Sequence, residues 1–181
     1  MATLQHAPFQ KLVPPLNFAP VEENLYRSGQ PAPINFPFLQ DLQLTAVIWL
    51  EVEDAPASLR QFARENGITL HHLGLITSDE DDVQTANPWD QLPEQTIVRA
   101  LQLIADRRNY PLLVCGGMGR HRSGTVIGCL RRVQRWNLSS VSEEYRRFAG
   151  SRKRVLIELH IEAFDTASVK INRELAPAFL L

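Results

Sequence analysis

Residues 46–50, Ala-Val-Ile-Trp-Leu, are apolar without a break and stop at Glu51. A short run of this kind is what a central parallel strand looks like when helices cover both of its faces. Residues 68–73 and the apolar 112–114 read as two further strands. Leu59, Phe62 and Ala63 recur at helical spacing over about 55–66, and Gly67 follows where a helix would end on a left-handed residue. Ile97, Ala100, Leu101 and Ile104 mark one face of a helix over about 93–107, with Pro93 at its first position. Val126, Leu130 and Val133 predict a helix over about 123–135 whose Arg131, Arg132 and Gln134 face water. Two more helices are expected, over about 141–148 and 154–165. Nearer the start, Leu25, Tyr26 and Arg27 read as a short strand entering a Ser28-Gly29-Gln30-Pro31 turn, and Phe38, Leu39 and Leu42 as a short helix. Strands alternating with helices give an α/β domain: a central, mostly parallel sheet flanked by helices.

The remaining segments set expected boundaries. Residues 1–20 carry Pro8, Pro14, Pro15 and Pro20 without periodicity and read as an extended N-terminal tail; 21–165 form the domain and 166–181 a C-terminal tail. Between 74 and 92 the chain has no periodicity and holds Asp79, Glu80, Asp81, Asp82 and Asp90, a length usual for a functional loop. With 44% hydrophobic and 22% charged residues, 181 residues suffice for a core that needs no metal or disulfide staple. The two cysteines, Cys115 and Cys129, do not make a disulfide framework, which points to a reducing cytoplasmic setting. A net charge of −1 does not suggest nucleic acid, and no apolar run approaches the roughly 20 residues that span a bilayer. Neither a signal peptide nor a membrane partner is expected.

The chemistry concentrates after the fourth expected strand, in Cys115-Gly116-Gly117-Met118-Gly119-Arg120-His121-Arg122-Ser123-Gly124. Ligands of open α/β sheets bind beyond the carboxyl ends of the strands, and a strand-to-helix loop lies there. Gly116, Gly117, Gly119 and Gly124 would take positive φ and turn several N–H groups inward, forming an anion nest at a helix amino terminus. Arg122 adds a fork for phosphate oxygens. The mononucleotide loop pattern fails for want of its lysine, and the dinucleotide pattern meets Arg122 where its third glycine belongs. No cofactor and no metal are expected; His71 and His72 lack a third ligand.

Four blocks of sequence carry a resemblance: Val13-Pro14-Pro15-Leu16-Asn17-Phe18, Leu25 through Pro31, Gly119 through Gly124, and Glu144-Tyr145-Arg146-Arg147-Phe148-Ala149. Over about residues 13–165 the chain resembles the plant and fungal atypical dual-specificity phosphatases, including the fungal oxidant-induced cell-cycle arrest proteins. The family's active loop reads His-Cys, five residues, Arg, then Ser or Thr, with the cysteine as nucleophile. Counted back from Arg122, the nucleophile's place falls on Gly116, and Cys115 stands at the histidine. One residue earlier on a strand, a side chain points to the opposite face.

Two functions follow from the resemblance. In the first, the loop from Gly116 to Ser123 (Gly116, Gly117, Met118, Gly119, Arg120, His121, Arg122, Ser123) binds phosphate or a phosphorylated small molecule. The family's inositol pyrophosphates are the implied candidates. Without a thiolate the protein would be a pseudophosphatase, acting as scaffold or sensor, with related phosphatase-like proteins as potential partners. In the second, Cys115 is the nucleophile of a lengthened loop, and Asp90 or another acid of the 74–92 segment protonates the leaving oxygen. Arg152, Lys153 and Arg154 are candidate contacts for a polyanion in either case.

Overall fold

The computed structural model describes residues 12–74 and 91–181 and arranges the apolar runs as one five-stranded sheet, in the order β1-β2-β5-β3-β4. The strands are β1 (Ala19–Glu22), β2 (Leu25–Ser28), β3 (Ala46–Trp49), β4 (Thr69–His72) and β5 (Leu112–Cys115). Four run parallel; β1 pairs antiparallel with β2, Ala19 opposite Arg27. The expected mostly parallel sheet is present, and β1 is an addition to it.

Helices α1 (Phe36–Asp41) and α2 (Ala57–Glu65) cover one face of the sheet. Helices α3 (Glu94–Ile104), α4 (Arg122–Val133), α5 (Leu138–Ala149) and α6 (Val155–Ala163) cover the other. The period-two alternation of strands sorts the core accordingly. Ala46, Ile48, Leu112 and Val114 pack under α3 to α6, whereas Val47, Trp49, Leu113 and Cys115 pack under α1 and α2. Gly67 holds φ +66° just after α2, as its place in the sequence required. Pro93 caps α3 from outside instead of opening it, because its ψ of 144° is extended. That helix stops at Ile104, short of the expected 107.

The expectation that Arg131, Arg132 and Gln134 of α4 face water is overturned: Arg132 and Gln134 are half-buried, and Gln134 Nε2 donates to Glu22 Oε1 at 2.9 Å. Arg131 does not face water: it is 3% exposed, and its guanidinium holds Glu144 at 2.9 and 3.0 Å, the Val21 carbonyl at 2.9 Å, and Glu22. It also lies 4.1 Å over the Trp136 ring. Beside Gln134 Oε1 at 3.0 Å, its acceptors come from β1 and α5, and the helix's own sequence carried no sign of those.

At the chain's ends, Gly29 N–H donates to the Leu16 carbonyl at 2.6 Å, and the Asn35 amide to the Val13 and Pro14 carbonyls. Arg107 N–H donates to the Leu175 carbonyl, and Val169 and Ala176 are buried. Among the described residues, no helix is long and apolar enough to cross a membrane.

Candidate active site: a phosphate-type loop with a carboxylate at its floor

Strand register sets the site. Ser28 and Trp49 both lie opposite Cys115, and His72 opposite Trp49, so the four parallel strands end in one row. The residues that follow each end, Gly29, Glu51, Gly74 and Gly116, then meet beyond the sheet, in the crevice where such sheets bind ligands.

The loop after β5 is fixed from outside. Gln30 N–H donates to the Gly117 carbonyl at 2.7 Å, the Asn17 amide to the Met118 carbonyl at 2.8 Å, and the Arg27 guanidinium to the Gly119 carbonyl at 2.9 Å. A trans peptide sets its N–H opposite its carbonyl, so drawing the Gly117 and Gly119 carbonyls outward turns the Met118 and Arg120 N–H groups to the concave side. Gly117 and Gly119 take φ +38° and +68°. Gly116 and Gly124 do not have positive φ, contrary to expectation; Gly124 is needed for space, since a Cβ there would stand 2.9 Å from the Tyr145 ring. The loop leads into the amino terminus of the twelve-residue α4, whose dipole adds positive potential.

Arg27 explains how the loop is held. It is 1% exposed, with its guanidinium 3.8 Å from the Phe148 ring centroid. Burial pulls its pKa down to about 10, while Glu144 raises it and Arg131 lowers it. All four sequence blocks that carry the resemblance therefore reach this loop: Asn17, the Arg27–Gln30 stretch, the loop itself, and Tyr145 with Phe148.

Arg122 is 9% exposed; its Nη1 donates to the Leu50 carbonyl at 2.8 Å, and its Nε has no hydrogen-bond partner. That Nε lies 3.4 Å from Glu51 Oε2, an ion pair too long for a good hydrogen bond. An open hollow of about 200 Å³ is lined by Glu51, Gly116, Met118, Arg120, His121, Arg122 and Arg154. This is small beside drug-binding cavities and suits an oxyanion. Tyr145 Oη accepts from Arg154 N–H at 3.1 Å and lies 3.0 Å from His121 Nδ1. Burial, then Arg154 and Arg120, pull the His121 pKa down to about 4. The imidazole is thus neutral at pH 7, which lets the Tyr145 hydroxyl donate to Nδ1 and leaves Nε2 carrying the proton.

The other predicted residues divide. Cys115 is fully buried among Val47, Trp49, Leu113 and the side chains of α2, on the face away from α4. Burial, reinforced by Glu51, pushes its thiol pKa far up. Cys129 is buried on α4, and its pKa is also raised by burial. Ser123 does not cap α4, which begins a residue earlier; its hydroxyl lies 3.5 Å from the Ser28 carbonyl. Arg154 lines the hollow, whereas Arg152 and Lys153 are exposed and do not. Asp79, Glu80, Asp81, Asp82 and Asp90 lie outside the described residues. The described residues hold no cluster of three or more His, Cys, Asp or Glu side chains suited to a metal.

The model of the tyrosine phosphatase family matches residues 12–180. The chain belongs to that family. Among curated relatives it is 61% identical to OCA1 of Yarrowia lipolytica, named as a candidate tyrosine-protein phosphatase, over 98% of this chain and 68% of that one. It is 57% identical to the protein of the same name from Saccharomyces cerevisiae, over 98% of this chain and 74% of that one. Among solved structures it superposes on the core catalytic domain of the PP-IP phosphatase SIW14 from S. cerevisiae, in complex with citrate. The TM-score is 0.75 at 33% identity, covering 86% of this chain and 89% of that one. The fold of the family is thus present here.

Sequence reasoning missed several residues that build this site. Glu51 served only as the end of an apolar run, yet its carboxylate reaches the floor of the loop. Arg27, a basic residue inside a strand, and Gly74 were the available signals for close packing beneath the loop.

Proposed function

We propose that this protein binds a phosphorylated small molecule, of the inositol pyrophosphate class, through the loop 116–123, and does not turn it over through a cysteine thiolate. The observation that carries the reading is the placement of Cys115, whose sulfur sits in the apolar cluster across the sheet from α4; counting back from Arg122 assigns the nucleophile's position to Gly116, and Arg122 Nε, without a hydrogen-bond partner, lies 3.4 Å from Glu51 Oε2. In-line attack needs a thiolate within reach of phosphorus, and a thiol whose pKa is raised by complete burial offers neither charge nor access. SIW14, named as a PP-IP phosphatase and crystallised with citrate, supports a polyanionic ligand. Arg120 and Arg154 would meet phosphates beyond the one held by the loop. A scaffold role in a reducing cytoplasm, beside related phosphatase-like proteins, accords with exposed Val155, Leu156 and Leu159 on α6.

The experiment pairs turnover with binding. Wild type and Cys115→Ser should hydrolyse aryl phosphates and inositol pyrophosphates equally, near background. Arg122→Ala should bind an inositol polyphosphate roughly ten- to a hundredfold more weakly, the equivalent of about 1.5–3 kcal/mol for a charged hydrogen bond. A phosphocysteine trapped at Cys115, or equal affinity in a folded Arg122→Ala protein, would overturn the reading.

A further inference from the structure

Glu51 stands where nothing in a plain phosphate loop requires a carboxylate. A Cβ built on Gly116, or on Gly117, would lie 2.8 Å from Glu51 Oε1. That is the space a side chain at the loop's floor would fill, and the space over which a bound oxyanion would sit. Oε2 meanwhile lies 3.4 Å from Arg122 Nε, the buried donor that has no other partner. The carboxylate thus takes the place of an anion in the nest.

The backbone that carries Glu51 is held at many points. The Leu50 carbonyl accepts from Arg122 Nη1 at 2.8 Å, and Leu50 N–H donates to the Cys115 carbonyl at 3.1 Å. The Glu51 carbonyl accepts from His72 Nε2 at 2.8 Å, and the Glu53 carbonyl from Trp49 Nε1 at 2.7 Å. Gly74 closes against the same peptide so tightly that a Cβ there would stand 1.8 Å from the Glu51 carbonyl oxygen. These contacts fix the backbone that aims the Glu51 side chain at the loop.

We propose that Glu51 is a built-in competitor of the phosphate loop, so that an oxyanion binds at 116–122 together with a proton taken up by the Glu51 carboxylate. The proposal rests on the reading of this loop as an oxyanion site and names the residue that sets its charge preference. Charged Glu51 repels a second anion at the shared Arg122; protonated Glu51 donates a hydrogen bond to it. Among the described residues, the titratable and charged groups around Glu51 all bear on that proton, His72 from its contact with the Glu51 main-chain carbonyl. Arg120, His121 and Arg122 approach from the loop and α4, Arg154 from the start of α6, His72 from β4, Cys115 from β5, and Glu53 from its own segment. Burial is the largest influence and raises the Glu51 pKa, Arg122 lowers it, and Glu53 raises it. His121 is neutral near pH 7 and the arginines do not titrate there, whereas His72 reaches Glu51 only at its main-chain carbonyl, so Glu51 is the carboxylate placed to take the proton and Glu51→Gln separates its proton from any that His72 takes up.

The sign is fixed by this linkage. Affinity for a ligand of constant charge should fall as the pH rises through the Glu51 pKa, because only the protonated site accepts it without repulsion. Sulfate is the probe, since it stays doubly charged across the whole range and phosphate does not. Titration calorimetry on the full chain, repeated in buffers of different ionisation enthalpy, counts the protons taken up. Wild type should take up a proton with sulfate over a pH interval that lies above the ordinary carboxylate range, since burial raises the Glu51 pKa. Glu51→Gln should bind sulfate without proton uptake and more tightly, by roughly 5- to 150-fold, the usual range of coupling between two sites. Glu51→Ala serves if the glutamine variant folds poorly, and proton counting on wild type needs no variant at all. Wild-type binding without proton uptake, or unchanged affinity in Glu51→Gln, leaves the oxyanion site standing and overturns the competitor role. Sulfate bound by neither wild type nor Glu51→Gln overturns the site itself, and this proposal with it.

Discussion

Replacing Gly119 by alanine tests how the loop is held. Gly119 sits at φ +68°, where an L side chain costs about 1–2 kcal/mol. The new Cβ would lie 2.3 Å from Gly29 N, 2.6 Å from Ser28 C and 2.8 Å from Ser28 O, all backbone atoms that cannot rotate aside. Overpacking of this kind typically costs about 1–3 kcal/mol, giving about 2–5 kcal/mol in all. The chain has one way to relieve the clash, which is to lift the loop off the β2 turn. That forfeits the bonds from Arg27, Asn17 and Gln30 to the Gly119, Met118 and Gly117 carbonyls, at about 1 kcal/mol each and more for the charged one. Both routes give a loss of about 3 kcal/mol, a drop in Tm of about 6–12 °C for a chain of this size. Urea unfolding and calorimetry measure it directly. Gly116→Ala is the control, because its φ is ordinary and the atom it meets closest, Glu51 Oε1, ends a flexible side chain; it should cost less than about 1 kcal/mol. If Gly119→Ala is within about 0.5 kcal/mol of wild type and binds oxyanions normally, the account of the loop's support is wrong.

Arg131→Met should lose about 3–5 kcal/mol by urea unfolding, toward the lower figure because Glu22 and Glu144 are partly open to water; a loss under about 1 kcal/mol would mean that the buried cluster does not tie α4 to β1 and α5. His121 makes stability depend on pH: its folded pKa lies near 4 and its unfolded value near 6.5, so its contribution is complete above about 6.5 and is lost as the pH falls toward and through about 4, where the unfolded chain takes the proton first. Unfolding curves for wild type and His121→Gln should converge toward the acid end of that window, and parallel curves would show that the imidazole does not stay neutral in the fold.

Much of the architecture was legible because it rests on local pattern. The unbroken run at 46–50 marks a doubly covered strand, and Gly67 marks the end of α2, each from its immediate neighbours. Cys115 was legible for a similar reason: side chains alternate along a strand, so its offset from Arg122 already assigned it to the far face. What was not legible depends on partners remote in sequence. Arg131 looks like a solvent residue until Glu22 and Glu144 arrive from β1 and α5. β1 has no apolar signature of its own and exists because β2 offers it an edge. Glu51 enters the site only because the register of β3 against β5 carries both strand ends to one line. Gly116 and Gly124 were read as turn glycines, yet Gly124 is required by the Tyr145 ring and Gly116 leaves room for a carboxylate.

The burial of Cys115 also has a redox consequence. Loops that work through a low-pKa thiolate expose a group that peroxide converts to sulfenic acid, and binding and turnover stop together. On the proposed reading the loop would hold its anion through backbone N–H groups and arginine, and both thiols lie in apolar core with raised pKa values. If that reading holds, an oxidising pulse that silences a thiolate-based phosphatase should leave this loop able to bind the proposed ligand.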